Sequence, residues 1–150
     1  MNTNHMKVTF DATSCNEAFA RITVAAFMTQ LNPTVEEVAD VKTAVSEAVT
    51  NCIIHAYDKS YENLHPIVEI ECSIEGELLE VYVRDFGLGI EDVEQAMEPL
   101  YTSKPQLERS GMGFAFMEAF MDSLEVISKP DEGTCVRMKK RIESAKSREV

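Results

Sequence analysis

Two short segments constrain this chain more than any other feature. Glu47-Ala-Val-Thr-Asn51 lies inside a long helical pattern, and Asp85-Phe-Gly-Leu-Gly89 comes directly after a strand pattern. Residues four apart on a helix stand one turn above the other on the same face, so Glu47 and Asn51 can point into one cleft together. A third segment, Arg109-Ser-Gly111-Met-Gly113-Phe, is a glycine-bearing entry into another helix. Helix starts hold phosphates through backbone N–H groups and the positive end of the helix dipole. A fold for this chain must therefore bring a helix face, a strand end and a helix start to one place.

The order of elements is consistent with that demand. Lys7 to Phe10 alternates polar and apolar side chains and predicts a first strand. Ser14 to Leu31 follows as a helix with a cap-like Ser14 and with Phe19, Ile22, Ala26 and Phe27 at helical spacing. Asn32-Pro33-Thr34 breaks the pattern, and Thr34 with Glu37 forms a capping-box signature opening a helix whose apolar stripe is Val38, Val41, Val45, Ala48, Cys52 and Ile53. Ile67 to Ile74 and Leu78 to Arg84 alternate around Glu75-Gly76-Glu77, which predicts an antiparallel hairpin.

From Ile90 to Ser110 the pattern is weak and interrupted by Pro99 and Pro105, and the stretch from about 95 to 110 reads as a lid. Met112 to Met121 predicts a further helix, and Leu124 to Ser128 with Thr134 to Met138 predict two strands around Asp131-Glu132-Gly133. The sum is a single domain over 1–150, an α/β two-layer sandwich with a mostly antiparallel, mixed sheet and helices on one face. The basic stretch 139–150, with Lys139, Lys140, Arg141, Lys146 and Arg148, reads as a solvated tail.

Composition excludes several classes of function. A formal net charge of -12 opposes sequence-independent binding to nucleic acid, which depends on neutralising phosphates with Lys and Arg. Cys15, Cys52, Cys72 and Cys135 are dispersed, without a C-x-x-C pair or clustered His, against a zinc site or a disulfide framework. No apolar run has the length that a signal peptide or spanning helix needs, so no membrane role is expected and the chain reads as cytoplasmic. At 45% hydrophobic residues, 150 residues suffice for a core without metal or disulfides.

Taken together the three segments read as an ATP site. Glu47 can orient a hydroxyl or water and accept its proton, and the Asn51 carbonyl is a hard oxygen ligand suited to Mg²⁺. The alternative is a solvent-facing polar pair. Asp85 can accept a hydrogen bond from an exocyclic amine, as adenine requires, while Gly87 and Gly89 let backbone approach a flat ring; the alternative is an Asp-Gly turn. Gly111 and Gly113 could cradle phosphates or merely loosen a helix start. Arg109 can reach a terminal phosphate with its planar fork. Thr102, Ser103 and Lys104 in the lid are further nucleotide-binding candidates, Lys104 equally a surface charge. An acidic chain that binds ATP also needs Mg²⁺ and nearby cations to offset repulsion.

In order, Glu47-x-x-x-Asn51, Asp85-x-Gly87-x-Gly89, Gly111-x-Gly113 and Gly133-Thr134 resemble the boxes of the Bergerat, or GHKL, ATP-binding fold of gyrase, heat-shock chaperone ATPases and histidine kinases. The stretches Ser46 to Tyr57, Val83 to Ile90 and Pro99 to Phe114 look closest to the anti-sigma-factor serine kinases of that group. The resemblance implies Glu47 as general base, Asn51 as Mg²⁺ ligand, Asp85 as adenine reader, Gly111 and Gly113 along the phosphates, and Arg109 at the γ-phosphate. It implies that Thr134 supports Asp85 through its hydroxyl. It further implies a homodimer that binds a sigma factor of the sporulation, sigma-F, type, and that phosphorylates a serine of an anti-anti-sigma protein with ATP, leaving ADP. Glu17 and Arg21 match the family's partner-binding surface, and are equally an ordinary i, i+4 pair. Cys52 departs from the pattern, where small aliphatic residues are usual.

Other functions fit less of the chain. A related stress-response kinase acting on another sigma factor would share every box. The ATP-binding half of a histidine kinase needs an upstream helical hairpin bearing the acceptor His, and only His5 precedes the first helix. A binding switch in which ATP sets shape without chemistry would not need both Glu47 and Arg109.

Overall fold

In a computed structural model of the chain, residues 3–57, 65–98 and 113–143 are described. The elements are β1 (Thr3–Asp11), α1 (Asn16–Met28) ending in a 3₁₀ turn (Thr29–Leu31), α2 (Val35–Asn51) ending in a π turn (Cys52–Ala56), β2 (Ile67–Glu75), β3 (Leu78–Asp85), α3 (Val93–Ala96), α4 (Gly113–Phe120), β4 (Ser123–Lys129) and β5 (Gly133–Arg141). The five strands form one sheet in the order β1-β2-β3-β5-β4. The sheet, expected to be mostly antiparallel, is antiparallel in all four pairings and has no parallel strand among the described residues. Among the described residues no helix is long and apolar enough to cross a membrane.

Alternation along the strands decides what each face of the sheet meets. On one face Val68, Ile70, Cys72, Ile74, Leu79, Val81, Val83, Val136 and Met138 are buried together with residues of α1, α2 and α4, giving the expected two layers with helices on one side. The other face carries charges in cross-strand pairs: Lys7 with Glu69 at 2.8 Å, Arg84 with Glu71 at 2.7 Å and Arg137 with Glu80 at 2.7 Å. Burial lowers the Cys72 thiol's acidity, pushing its pKa up to about 12, so it behaves as a core residue. The hairpin between β2 and β3 turns on Gly76 and Glu77, with Gly76 at φ 64°, as the predicted turn chemistry requires.

Helix α2 begins on the predicted capping box. The Glu37 N–H donates to Thr34 Oγ1 at 3.1 Å, and the Thr34 N–H donates to the Glu37 carboxylate at 2.9 Å. Helix α1 differs from expectation. Its N-cap is Cys15, with no side-chain cap, and not Ser14. Its buried face is Ala20, Val24 and Met28, whereas Phe19 and Ile22 are about half exposed and Ala26 is exposed. Met28 reaches fully into the core and Phe27 packs against it, while Phe19 lies edge-on to Phe10 at 5.9 Å.

Two further readings change. Lys139, Lys140 and Arg141 are the last residues of β5, not the start of a tail: Lys140 Nζ donates to the Phe120 carbonyl at 2.7 Å. Part of the expected lid is the short helix α3, capped by Asp92 accepting from the Gln95 N–H at 3.0 Å. The rest of the lid, 99–110, and the tail beyond 143 lie outside the described residues.

The end of α2 is where fold and site join. At the π turn the helix widens, and the Ala56 carbonyl accepts the Leu88 N–H at 2.7 Å, so α2 is tied directly to the loop after β3. A Cβ added at Gly87 would stand 1.9 Å from that carbonyl oxygen. Gly87→Ala is therefore expected to push the loop off α2 and cost about 1–3 kcal/mol, read as a lower thermal midpoint. Thr34→Ala should remove the cap and cost about 1 kcal/mol, read as a lower urea midpoint with an unchanged m-value.

Candidate functional site

Asp85 ends β3 on the inward face. It continues the series Leu79, Val81, Val83 at period two, and is the one buried charged residue among those described, at 7% exposure. Burying a carboxylate costs several kcal/mol unless donors compensate. Here the Gly87 N–H donates to Oδ1 at 3.1 Å and the Thr134 N–H at 3.2 Å, and the Cys52 thiol also donates to the carboxylate. Burial nevertheless dominates and holds the Asp85 carboxyl above the ordinary aspartate range. The same burial, with Asp85's charge beside it, pushes the Cys52 thiol well up, so it stays a protonated donor. Cys52 thus has a role at the site although its residue type departs from the pattern.

Thr134 sits beside Asp85 because β3 and β5 pair in the register Asp85 opposite Thr134. Its support comes from the backbone N–H, not from the hydroxyl as expected. The hydroxyl instead lies 2.7 Å from Ser128 Oγ. Ser128 was not singled out by sequence, yet its Oγ also accepts the Ile90 N–H at 2.7 Å and reaches the Gly133 carbonyl at 3.1 Å. No local sequence signal marks such a residue, since its partners come from two other segments, the loop after β3 and the start of β5.

Gly87 and Gly89 were expected to admit a flat ring. The close approach that demands glycine at each is to the protein's own backbone: the Ala56 carbonyl at Gly87, and the Lys129 carbonyl, 2.0 Å from an added Cβ, at Gly89, whose φ is +75°. These glycines seat the Asp85 loop between the end of α2 and the β4–β5 turn.

Glu47 and Asn51 meet the start of α4. A Cβ built on Gly113 would lie 3.3 Å from Glu47 Oε2, 3.3 Å from Asn51 Nδ2 and 3.4 Å from Asn51 Oδ1. The helix face and the helix start that the sequence set 62 residues apart (113 − 51) are thus adjacent, with only a hydrogen's width kept open between them. Among the described residues no group of three or more His, Cys, Asp or Glu could hold a metal, so a hard cation here would depend on Asn51 and on ligand oxygens. Arg109, Gly111, Thr102, Ser103 and Lys104 lie outside the described residues.

Glu17 and Arg21 pair as expected, Arg21 Nε to Glu17 Oε1 at 3.0 Å. Glu17 also accepts a hydrogen bond from Ser46, the residue before Glu47. Glu17, Arg21, Lys42, Thr43, Ser46 and Glu47 line one open groove of about 480 Å³ between α1 and α2. The surface pair and the candidate base line the same depression.

A family model for the histidine kinase-like ATPase domain matches residues 10–140. An anti-sigma F factor of Oceanobacillus iheyensis is 54% identical over 144 residues, 96% of this chain and 97% of the relative. One from Clostridium kluyveri is 59% identical over 140 residues, 93% and 96% of the two chains. Among solved structures, the RsbU and RsbW domains of a Mycobacterium tuberculosis protein superpose with a TM-score of 0.66 at 18% identity, over 93% of this chain and 32% of that one. The catalytic domain of the histidine kinase ThkA does so with a TM-score of 0.56 at 13% identity, over 91% and 96%. Those two likenesses speak to the fold, which they share. With the family model spanning the chain from the end of β1 into the last residues of β5, and relatives more than half identical along nearly the whole length, this chain belongs to the histidine kinase-like ATPase family and, within it, to the anti-sigma F factors.

Proposed function

We propose that the chain is an anti-sigma factor that binds and inhibits a sigma factor of the sigma-F type, and that it uses Mg²⁺-ATP to phosphorylate a serine on an anti-anti-sigma antagonist. The observation that carries the kinase part is the convergence of Glu47 and Asn51 on the start of α4, with Asp85 buried nearby at the end of β3. Bound Mg²⁺-ATP supplies the transferable γ-phosphoryl group. Asp85 accepts a hydrogen bond from the adenine amine, and Asn51 offers an oxygen to the cation. Glu47 takes the acceptor serine's proton as the serine oxygen bonds to the γ-phosphorus, and the β–γ bridge bond breaks to leave ADP. Arg109 and Gly111 act beside the γ-phosphate and along the phosphate chain, and Thr102, Ser103 and Lys104 add lid contacts.

The groove supports the choice of a protein acceptor. It is open, Glu17, Arg21 and Glu47 all line it, and Lys42 and Arg21 offer cations to an approaching segment on an otherwise acidic molecule. Glu17 and Arg21 are the partner-binding residues in this reading. The protein works as a cytoplasmic homodimer, and one nucleotide-dependent state grips the sigma factor.

The test is transfer from γ-labelled ATP in an extract of the source organism. An acid-stable label on a small second protein supports a phosphoserine product; an acid-labile label or none, with ATP binding confirmed, overturns the serine kinase. Glu47→Ala is expected to keep ATP affinity and to lower the transfer rate about 10²–10⁴-fold in single-turnover assays. Unchanged transfer would remove Glu47 from the role of base.

Acidification offers an independent check on Asp85. Because burial raises its pKa, the carboxylate is protonated on descending pH before an ordinary aspartate of pKa 3.8 would be. Only the ionised form is a full acceptor for the adenine amine. The ratio of ATP affinity to ITP affinity, in which the phosphates cancel, should therefore fall as pH drops, starting above that ordinary value.

A further inference from the structure

The peptide bond that follows Asp85 is held by Tyr57, a residue to which no role at the site has been assigned. The Phe86 N–H donates to the Tyr57 hydroxyl at 2.8 Å, and that hydroxyl donates to the Ile67 carbonyl at 2.8 Å. The directions are forced, because a carbonyl cannot donate and a phenol has a single proton. Val68 is opposite Asp85 in the β2–β3 register, so the next pair along would be Ile67 and Phe86. At that rung the ladder does not close directly. One phenolic oxygen stands between the N–H of one strand and the C=O of the other, and β3 leaves the sheet there.

Tyr57 reaches this position from the end of α2, as the residue immediately after the π turn. Its neighbour Ala56 accepts the Leu88 N–H at 2.7 Å, while the Gly87 N–H between them turns back to Asp85 Oδ1 at 3.1 Å. Three successive amides of the loop are thereby assigned: Phe86 to Tyr57, Gly87 to Asp85 and Leu88 to Ala56. The middle one sets the carboxylate, and the outer two set the loop that carries the middle one. Both outer acceptors belong to the end of the helix that carries Glu47 and Asn51. Burial raises the Tyr57 pKa, so the hydroxyl remains a donor throughout the neutral range.

We propose that Tyr57 is a positioning residue for base recognition: its hydroxyl, inserted between Ile67 and Phe86, fixes the Asp85–Phe86 peptide and with it the direction in which the Asp85 carboxylate faces an adenine amine. The proposal rests on the reading of Asp85 as the adenine acceptor. A residue that only stabilised the fold would affect all nucleotides alike. A residue that aims Asp85 affects adenine more than a base lacking the amine.

The test compares ATP with ITP, which has the same ribose and phosphates but an oxo group in place of the amine. Binding of each to the full-length chain and to Tyr57→Phe is measured by calorimetry, with a thermal melt to confirm folding. The wild type should prefer ATP, and Tyr57→Phe should lose about tenfold in ATP affinity with little change for ITP, in line with one misdirected hydrogen bond to a charged group. An unchanged ATP/ITP ratio in the variant, whether both affinities hold or both fall, overturns the role of Tyr57. A wild type that binds the two equally overturns the reading of Asp85 itself. Amide exchange in the wild type gives a measurement that does not depend on the variant folding. At equal saturation the Phe86 amide should exchange at least about tenfold more slowly with ATP than with ITP, and equal protection counts against the proposal.

Discussion

The burial of the Asp85 carboxylate organises the rest of the site. A charge at 7% exposure is sustained by donors from three places: the Gly87 amide of its own loop, the Thr134 amide of β5 and the Cys52 thiol at the end of α2. Each donor imposes a condition on the fold. Thr134 is available only if β3 and β5 pair in the observed register. Gly87 is available only if the loop turns back at once, and Cys52 only if α2 runs past Asn51 to the sheet end. The donors do not cancel the cost, since Asp85 remains harder to ionise than an ordinary aspartate. In the proposed reading the adenine amine is a further donor to this carboxylate.

Helix α2 is the second organising element because its faces serve different tasks. Val41, Ala44, Val45, Ala48 and Val49 are buried in the core. Glu47 and Asn51 face the start of α4, and Ser46 turns to Glu17 of α1. Beyond Asn51 the α-helical repeat gives way to a π turn, a feature found at functional sites elsewhere. Its consequence here is local and visible: the Ala56 carbonyl and the Tyr57 hydroxyl are placed to receive the loop amides that follow Asp85.

Much of this was legible in the sequence, and the misses share a cause. The Thr34–Glu37 box and the Gly76 turn are local chemistry, complete within four residues, and both stand as expected. The Glu47–Asn51 pairing follows from helical period alone. The inward direction of Asp85 was also written in the alternation Leu79, Val81, Val83, Asp85, although the strand was expected to stop at Arg84. What could not be read were choices made by distant partners. Thr134 lends its amide and not its hydroxyl to Asp85 because Ser128 takes the hydroxyl. Helix α1 buries Ala20, Val24 and Met28, with Phe27 partly buried beside them, and leaves Phe19 and Ile22 about half exposed, because the way α1 is rotated against its distant packing partners sets which face is covered. The glycines at 87 and 89 were understood as space for a ligand, when the nearer claimant was the backbone of the chain itself.

The connection between Ser46 and Glu17 gives the proposed partner surface a mechanical link to the chemistry. Ser46 and Glu47 are neighbours on α2, so one side chain is bonded to α1 while the next addresses the start of α4. Glu17 divides its carboxylate between Ser46 and Arg21, and all of these residues line the groove. In the proposed reading a partner that competed for Arg21 would loosen one of the two contacts Glu17 makes, the other being to the turn of α2 that holds Glu47. The separation between Glu17 and Glu47 is one hydrogen bond and one peptide unit. Sigma-factor grip and serine transfer, if both belong to this surface as proposed, then compete for the same few side chains, and the protein needs no second domain to make one activity sensitive to the other.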